Sequence, residues 1–587
     1  MTFLSFYALH RKILNKRLSY AVESPFTRLP RVPKTPSLTL RDPWRGNMIT
    51  GVRFIQNQVL HDDIMYTLHP GEWKNDLWLD SYTRWLQSFI WLRDLRQMGT
   101  QSARQKARTL VKRWIKIPPS ERPLTDPSIT GNRIAILLYC YHFFADSAND
   151  NFKENLMSTI LIEARSIMVL SKTVQGYKAF AALKGLLAAA VSLPQYPKFL
   201  KRYYSLIDDV LTHQINPDGG HYSRSPEQQF LIVRELAEML FILKTARLTL
   251  PAKLQETANH TAQALRAMRH SDGGLALFNG STELDAQMID QVINLASRSK
   301  VIAPNLPETG FVRMSNGRSV VIVDAASPTL TKSEVNAHAG MLSFEFSSAR
   351  QRIIVNCGSS TITSLSEALR YPAAHSVLEI TNLSPLYPHT HDTPSKRLKV
   401  TPKVDREHIT ENGNHWLQMS HNNYTHQGGG IYYRRLYLSR DGQNLRGEEQ
   451  IENEHIPLSV KVRFHLHPNI MIKAAKNGYL LHTHKETWLF RANTRITVEE
   501  SIYLGQGSPI PTLQLTLTRD HRHDYRHEHE RIHGQIHGQV HSLHLEKTLE
   551  ENLLEENTAS TSSTTITQVD DFTFTPIRWA LVRIDPS

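Results

Sequence analysis

The sequence predicts a multidomain α+β protein in which a helical domain is followed by an antiparallel β-sandwich. Before about residue 300, apolar residues recur with helical spacing in one segment after another. After Phe311, short runs alternate apolar and polar residues and are separated by Asn-Gly and Asp-Gly turns. At 587 residues the chain is also too long for one hydrophobic core.

The helical part reads as a series of hairpin-linked helices, because proline and glycine interrupt the chain at the joins. The predicted helices cover residues 77–98, 103–117, 130–145, 152–171, 176–193, 196–214, 226–247 and 252–270.

The β-rich part contains alternating runs at 319–324, 459–467 and 495–503, and their spacing is typical of a sandwich. One segment departs from this pattern. Residues 520–547 are rich in histidine, and acidic and Ser/Thr-rich stretches follow before strand-like sequence resumes at 572–584. We interpret residues 520–568 as an insertion between the last two strands, with weak zinc or nickel binding as the alternative.

Composition indicates an ordinary globular protein, with 40% hydrophobic and 21% charged residues. Two distant cysteines argue against both a disulfide framework and a cysteine zinc site. The N-terminus lacks a convincing export signal and no segment is apolar enough to span a membrane, so a cytoplasmic protein is expected. The net charge of +13 favours polyanions, but no basic and aromatic module of the nucleic-acid-binding kind is present.

The most informative stretch places two imidazoles and two carboxamides on short strand-like segments. These are Asn336, His338, Asn356 and His375. Turns separate the segments, so the four side chains are expected to converge on one point. Such a cluster suits either a metal ion or the neutralisation of an acid.

Two glycine-containing loops in the helical part carry further candidates. The loop 216–226 brings together His221, Tyr222 and Arg224, which suit proton transfer and the binding of a carboxylate or sulfate. In the structural alternative this loop only connects two helices, with Asp218 as a cap and Arg224 paired to a carboxylate. The second loop, 270–280, ends at Asn279 and is expected near the same cleft.

Many motifs in the same order resemble the heparinase II/III family of polysaccharide lyases, in particular its uncharacterised bacterial branch. They lie at 40–44, 91–96, 218–226, 272–280, 337–346, 373–376, 434–448, 463–467 and 499–505. The resemblance implies an incomplete (α/α) toroid at 51–300, after an N-terminal extension at 1–50, and a sandwich domain at 305–587. It also implies β-elimination: a base removes the C5 proton of a uronic acid and the C4 oxygen leaves with a proton, while hydrogen-bond donors stabilise the charge on the carboxylate.

Carried over by position, the resemblance gives three sets of site residues. The catalytic candidates are His221, Tyr222, Asn336 and His375. The substrate-binding candidates are Arg224, Tyr177, Lys178, Asn279, Arg434 and Arg435. No cofactor is required, but His338, Asn356 and His375 match the positions that hold a metal in some members, so Zn²⁺ is a candidate ligand.

Several positions depart from the family pattern. Asn336 stands where members often carry the catalytic histidine, and Asn356 stands where they carry an aspartate. The run 225–229 lacks the usual catalytic tyrosine, and the Asn-His pair that neutralises the uronate is missing near 175–178. An amide also lacks the charge that a carboxylate gives to zinc.

Two hypotheses therefore stay open. In the first, the protein eliminates across a uronic-acid-containing acidic polysaccharide. In the second, the scaffold has lost turnover and serves in acidic-glycan binding or envelope-polysaccharide biogenesis, for which a periplasmic or envelope location is the alternative to the cytoplasm. Hydrolysis has less support because no convincing Asp/Glu pair stands out. The sequence predicts neither the polymer nor the oligomeric state.

Overall fold

The structure is a computed structural model, and it describes most of the chain. The described residues are 31–69, 72–118, 122, 126–170, 174, 176–303, 305–328, 336–381, 383, 402–452, 459–520 and 575–584. The predicted insertion at 520–568 lies outside them apart from its first residue, as do the first 30 residues of the predicted extension.

The N-terminal part is built from paired helices, and the predicted segments match them closely. The helices are α1 (Met48–Ile55), α2 (Asp80–Gln87), α3 (Leu92–Met98), α4 (Gln101–Lys116), α5 (Pro127–Tyr139), α6 (Tyr141–Phe144), α7 (Asp150–Leu170), α8 (Tyr177–Ser192), α9 (Lys198–Gln214), α10 (Pro226–Thr245), α11 (Ala252–Ala267) and α12 (Ala286–Ala296). Strands β1 (Gln58–His61) and β2 (Ile64–Thr67) form a hairpin after α1. Helices α1 and α12 and this hairpin were not predicted.

Local chemistry sets where several helices begin and end. Asp126 and Ser225 accept hydrogen bonds from backbone amides at the starts of α5 and α10, and in both helices proline occupies the first turn. The segment 77–98 was predicted as one helix. It forms two instead, because the chain turns at Phe89, whose φ is +63°.

The closest helix contact positions part of the site. Helix α5 packs on α8 at Gly131 and Gly185, where a Cβ on Gly185 would lie 2.3 Å from Cα of Gly131. Only glycine permits this backbone approach. As a result, Asn132 of α5 lies within hydrogen-bonding distance of Tyr177 and Lys184 of α8.

The C-terminal part is a sandwich of two antiparallel sheets. Its strands are β3 (Phe311–Asn316), β4 (Ser319–Asp324), β5 (Phe344–Ser348), β6 (Gln351–Val355), β7 (Leu378–Ile380), β8 (Val404–Glu411), β9 (Asn414–His421), β10 (Ile431–Leu438), β11 (Asn444–Glu452), β12 (Ser459–Leu466), β13 (Met471–Ala475), β14 (Gly478–His482), β15 (Thr487–Ala492), β16 (Ile496–Tyr503), β17 (Ile510–Asp520) and β18 (Ile577–Ile584). A short helix, α13 (Thr363–Ala368), lies between β6 and β7.

One sheet has the order β13-β14-β15-β18-β11-β10-β9-β8, and the other has the order β16-β17-β12-β6-β5-β4-β3 with β7 also paired to β12. The shared core includes Phe344 of β5 and Trp579 of β18, whose rings stack with centroids 5.5 Å apart. The two sheets therefore bury one apolar layer between them, as expected for a sandwich.

Buried polar contacts join the helical part to the sandwich. The Nε of Arg352 lies 2.7 Å from Asp272, and Nε2 of His270 lies 2.8 Å from the buried Glu345. These contacts fix the loop 270–283 on the face of the second sheet. The predicted α+β fold class is confirmed. Among the described residues, no helix has both the length and the apolar composition needed to cross a bilayer.

Candidate functional site

Three loops meet where the toroid faces the sandwich, and Asn279 joins them. Its Nδ2 donates to the carbonyl oxygen of Arg224 at 3.0 Å and to Asp324 at 3.2 Å. Its Oδ1 accepts a hydrogen bond from the backbone N–H of His338 at 3.2 Å. The loops 216–226, 270–283 and 336–343 are therefore held together by one buried side chain. The substrate-binding role expected for Asn279 stays a prediction.

His221 and Tyr222 lie side by side in the first loop, with ring centroids 4.3 Å apart. The Nδ1 atom of His221 accepts a hydrogen bond from the Ser223 N–H, so the ring proton resides on Nε2. Nε2 is buried without a hydrogen-bond partner among the described residues. Burial lowers the pKa of His221 to about 3, which keeps the ring neutral, while Tyr222 is half-buried.

Arg224 is buried and bound to the sandwich. Its guanidinium donates to the carbonyl oxygens of Thr309 at 2.8 Å and Ser327 at 2.7 Å and pairs with Asp324. In the same loop Asp218 accepts hydrogen bonds from Thr309. Arg224 is thus paired to a carboxylate, as in the structural alternative for this loop. The cap of α10 is Ser225 and not Asp218, which binds Thr309 instead.

His338 and His375 form a buried imidazole pair on the sandwich side, with ring centroids 5.3 Å apart. Nδ1 of His338 and both ring nitrogens of His375 are buried without hydrogen-bond partners among the described residues. Burial is the main cause that lowers both pKa values, to about 4 for His375, and the neighbouring Arg370 lowers that of His338 further. Half-buried Asn336 lies beside this pair, next to Gly280.

The third member of the predicted metal set, Asn356, is completely buried. Its Oδ1 accepts a hydrogen bond from the Ser376 N–H at 2.9 Å, and its Nδ2 donates to Glu345 at 3.2 Å. The described residues contain no group of three or more His, Cys, Asp or Glu side chains arranged to hold a metal ion. Two imidazoles fit zinc poorly when the third residue is an amide that is already hydrogen-bonded. The chemistry proposed below does not use a metal.

The two adjacent arginines of β10 have opposite environments. Arg434 is completely buried and pairs with Glu449 at 2.9 Å, and it also donates to the carbonyl oxygens of Leu342 and Ser376. Arg435 points to the other face of the strand and pairs with Glu448. Arg434 therefore holds the backbone of the loops 336–343 and 371–376 by hydrogen bonds.

Tyr177 and Lys178, at the start of α8, lie at the opening of the toroid interior. The Lys178 Nζ lies 3.6 Å from Asp126, and its side chain is exposed. The hydroxyl oxygen of Tyr177 accepts hydrogen bonds from Nδ2 of Asn132 at 3.1 Å and from Nη2 of Arg234 at 3.4 Å. The Tyr222 hydroxyl lies near the neighbouring Gly176, 3.6 Å from where a Cβ on that glycine would stand.

Asn132 and Arg234 were missed by the sequence analysis. Every residue of α5 is buried, and the polar Asn132 beside Arg133, directly before an apolar run, was the available signal. Arg234 lies in α10 among buried glutamates, and its side chain is 21% exposed with Nε unpartnered among the described residues.

Arg234 belongs to a chain of ion pairs inside the toroid. The pairs run from Arg96 and Arg93 through Asp42 to Glu238, then to Lys184, Glu235 and Arg234. This group contains four cations and three carboxylates, so it carries one positive charge in excess when all its members are ionised. Both ends of this series of ion pairs are cations, Arg96 and Arg234, and their side chains are 23% and 21% exposed.

Comparison with known proteins agrees with this architecture. Residues 300–538 match the family model described as heparinase II/III-like, C-terminal. FtsZ-localized protein C of Caulobacter vibrioides is 24% identical over 412 residues, which are 67% of this chain and 70% of that protein.

Two solved structures share the fold over nearly the whole chain. Heparinase III superposes with a TM-score of 0.67 at 13% identity, covering 100% of this chain and 91% of the other. Heparan sulfate lyase HepC from Pedobacter heparinus gives 0.55 at 13% identity, covering 98% and 88%. The chain thus shares the toroid-and-sandwich fold of these two proteins, and its residues 300–538 match the heparinase II/III-like C-terminal family.

Proposed function

We propose that this protein cleaves an acidic, uronic-acid-containing polysaccharide by β-elimination in the cleft between toroid and sandwich. The observation that carries the proposal is the contact of Tyr177 with Asn132 and with the partly exposed cation Arg234. A uronate brings a carboxylate that this guanidinium can bind. The family match of residues 300–538 and the fold shared with two lyases support the same reaction class.

The carboxylate end of the substrate is assigned to Arg234 and Asn132. A guanidinium binds a carboxylate through two parallel N–H groups, and the Arg234 side chain is 21% exposed. Removal of the C5 proton moves negative charge onto the carboxylate, so donors held there stabilise the transition state. The ion pairs behind Arg234 hold it in place before substrate arrives.

Two phenols are available for proton transfer. Burial raises the pKa of Tyr177, so it is protonated at neutral pH. Because its oxygen already accepts two hydrogen bonds, its own proton can be donated to a further group, such as the departing C4 oxygen. Tyr222, oriented by the adjacent ring of His221, is the proposed acceptor of the C5 proton.

In this assignment the base takes the C5 proton and the C–H electron pair forms the C4–C5 double bond. The C4–O bond breaks and its oxygen takes a proton, so the products are an unsaturated uronate and a shortened chain. Asn336 and His338 form the opposite wall, and buried His375 supports His338. Zinc at His338, Asn356 and His375 stays a separate proposal, tested by metal analysis of the purified protein.

A second candidate function is the binding of an acidic glycan without turnover. The specific observation in its favour is the burial of the imidazoles: His221, His338 and His375 are only 2%, 6% and 1% exposed. A buried ring reaches a substrate proton only if the loops around it open. The name of the curated relative, FtsZ-localized protein C, also describes a location and no reaction.

The first experiment follows ultraviolet absorbance while the protein is incubated with heparin, heparan sulfate, alginate and bacterial exopolysaccharides. A rise from the conjugated unsaturated uronate supports elimination, and it should disappear in Tyr222→Phe. Tyr433→Phe is the matched control, because that exposed hydroxyl binds Glu452 on the sandwich. No rise with any polymer, together with measurable binding of one of them, would favour the second candidate.

A further inference from the structure

A concentration of exposed apolar side chains lies near the start of the described chain, away from the cleft residues. Among the described residues, seven of the eighteen exposed large apolar side chains fall between residues 48 and 77. Five of them define what we call the N-terminal apolar face: Met48, Ile49, Val52, Leu60 and Met65, which are 41–67% exposed. Such a concentration marks an interaction surface more often than a surface in water.

The local structure explains why these side chains project outwards. Helix α1 buries Gly51 and Phe54, so Met48, Ile49 and Val52 occupy its outer side. In the β1–β2 hairpin, Leu60 is the cross-strand partner of Met65, and both point away from the inner pair Val59 and Tyr66. Since α1 packs against β1, the helix and the hairpin present their apolar sides next to each other.

Basic residues lie beside part of this face. Helix α4 has six basic residues and no acidic one, and two of them, Arg104 and Arg108, bond the carbonyl oxygens of Phe143 and Phe144. The Lys106 amino group bonds Asn57 between α1 and β1, and burial and the positive charge of Arg113 lower the pKa of Lys106. Arg53 lies in the last turn of α1. The nearby acidic residues are Asp62 and Asp63 in the hairpin turn and Asp94, which accepts a hydrogen bond from the Asn47 N–H at the start of α1.

We propose that the N-terminal apolar face binds the surface of an anionic lipid bilayer. The apolar side chains would enter the boundary between headgroups and acyl chains, and the cations would lie at headgroup depth. The side chains stand on the outer sides of a helix and a hairpin and line no concave groove among the described residues. A projecting apolar face with Arg53, Lys106 and Arg113 beside it fits a soft anionic surface better than a protein segment.

The test is flotation of the full-length protein with vesicles of phosphatidylglycerol and phosphatidylcholine, compared with vesicles of phosphatidylcholine alone. Binding is expected only with the anionic vesicles and should weaken as salt is raised. The double variant Ile49→Glu and Met65→Glu should lower the partition coefficient at least about tenfold, because two charges would have to enter the interface. Arg113→Gln should lower it about fivefold.

Met471→Glu is the matched control, because Met471 is 68% exposed on β13 of the sandwich. It should leave flotation unchanged, and circular dichroism and elimination assays should be the same for all variants. Absence of flotation, or flotation that the Ile49→Glu and Met65→Glu variant retains, would overturn the proposal. If the protein does not bind vesicles but binds polyglutamate, and the Ile49→Glu and Met65→Glu variant loses that binding, the proposal is also overturned. The face would then be assigned to an acidic protein.

Discussion

Acidification from pH 7 to pH 5 should destabilise the protein through its buried histidines. Five of them have strongly lowered pKa values with burial as the main cause: His221 and His465 near 3, His375 and His421 near 4, and His338 well below the usual value. Each side chain is 6% exposed or less. In the unfolded chain the same residues take up a proton near pH 6.5.

The size of the effect follows from proton linkage. Between pH 6.5 and about 4 the unfolded state binds more protons than the native state, so the free energy of unfolding falls as the pH falls. Each histidine contributes about 2 kcal/mol between pH 7 and pH 5, from roughly 1.4 kcal/mol per pH unit below 6.5. Together the five contribute about 10 kcal/mol, comparable with the whole free energy of unfolding of a typical domain.

Urea unfolding, followed by tryptophan fluorescence at pH values from 5 to 8, measures this dependence. The range from pH 7.5 to pH 8 is the internal control, since histidine in the unfolded state is at least about nine-tenths neutral there. The slope between pH 5 and pH 6 should approach five protons, and His375→Gln should reduce it by about one. A wild-type slope below one proton would refute the assignment of these rings as buried and neutral.

Three further outcomes follow from the contacts described. Arg434→Met should lower the free energy of unfolding by about 3–5 kcal/mol, because it leaves buried Glu449 without its cation. Arg435→Met should lower it by less than about 1 kcal/mol, and urea titration of both variants checks the contrast. Arg224→Met should lower the temperature of thermal unfolding for the same reason as Arg434→Met, and an unchanged value would contradict the buried contact with the sandwich. Tyr177→Phe should reduce the elimination rate about a hundredfold or more at nearly unchanged stability, and an unchanged initial rate in the absorbance assay would remove it from proton transfer.

The order of helices and strands could be predicted from the sequence because each depends on a local repeat. The helix 226–247, for example, carries its own cap and its own apolar period. The break at Phe89 could not be predicted, since a left-handed residue there depends on the tertiary packing around it. Strands and turns after Phe311 could also be predicted, because the alternation of apolar and polar residues and the Asn-Gly and Asp-Gly turns are local too.

Candidate site residues were named where one loop or the family pattern carries them, as for His221, Tyr222 and Tyr177. Asn132 and Arg234 were missed because they reach Tyr177 from two other helices, which only tertiary packing brings together. The burial of Arg434 depends on its cross-strand partner Glu449, and hence on strand register. The sequence shows two adjacent arginines, Arg434 and Arg435, and two adjacent glutamates, Glu448 and Glu449. Only the register of the two strands decides which arginine and which glutamate face the core.

The position of β18 has a consequence for synthesis. This strand lies between β15 and β11, so the sheet stays in two separate parts until residue 584 has left the ribosome. At ordinary rates of translation, the stretch between β17 and β18 delays completion by roughly 3–10 s. During that time β11 and β15 each lack the partner that later covers one edge, and open strand edges promote aggregation. A nascent chain of this protein therefore has a period of exposure in which a chaperone would protect it.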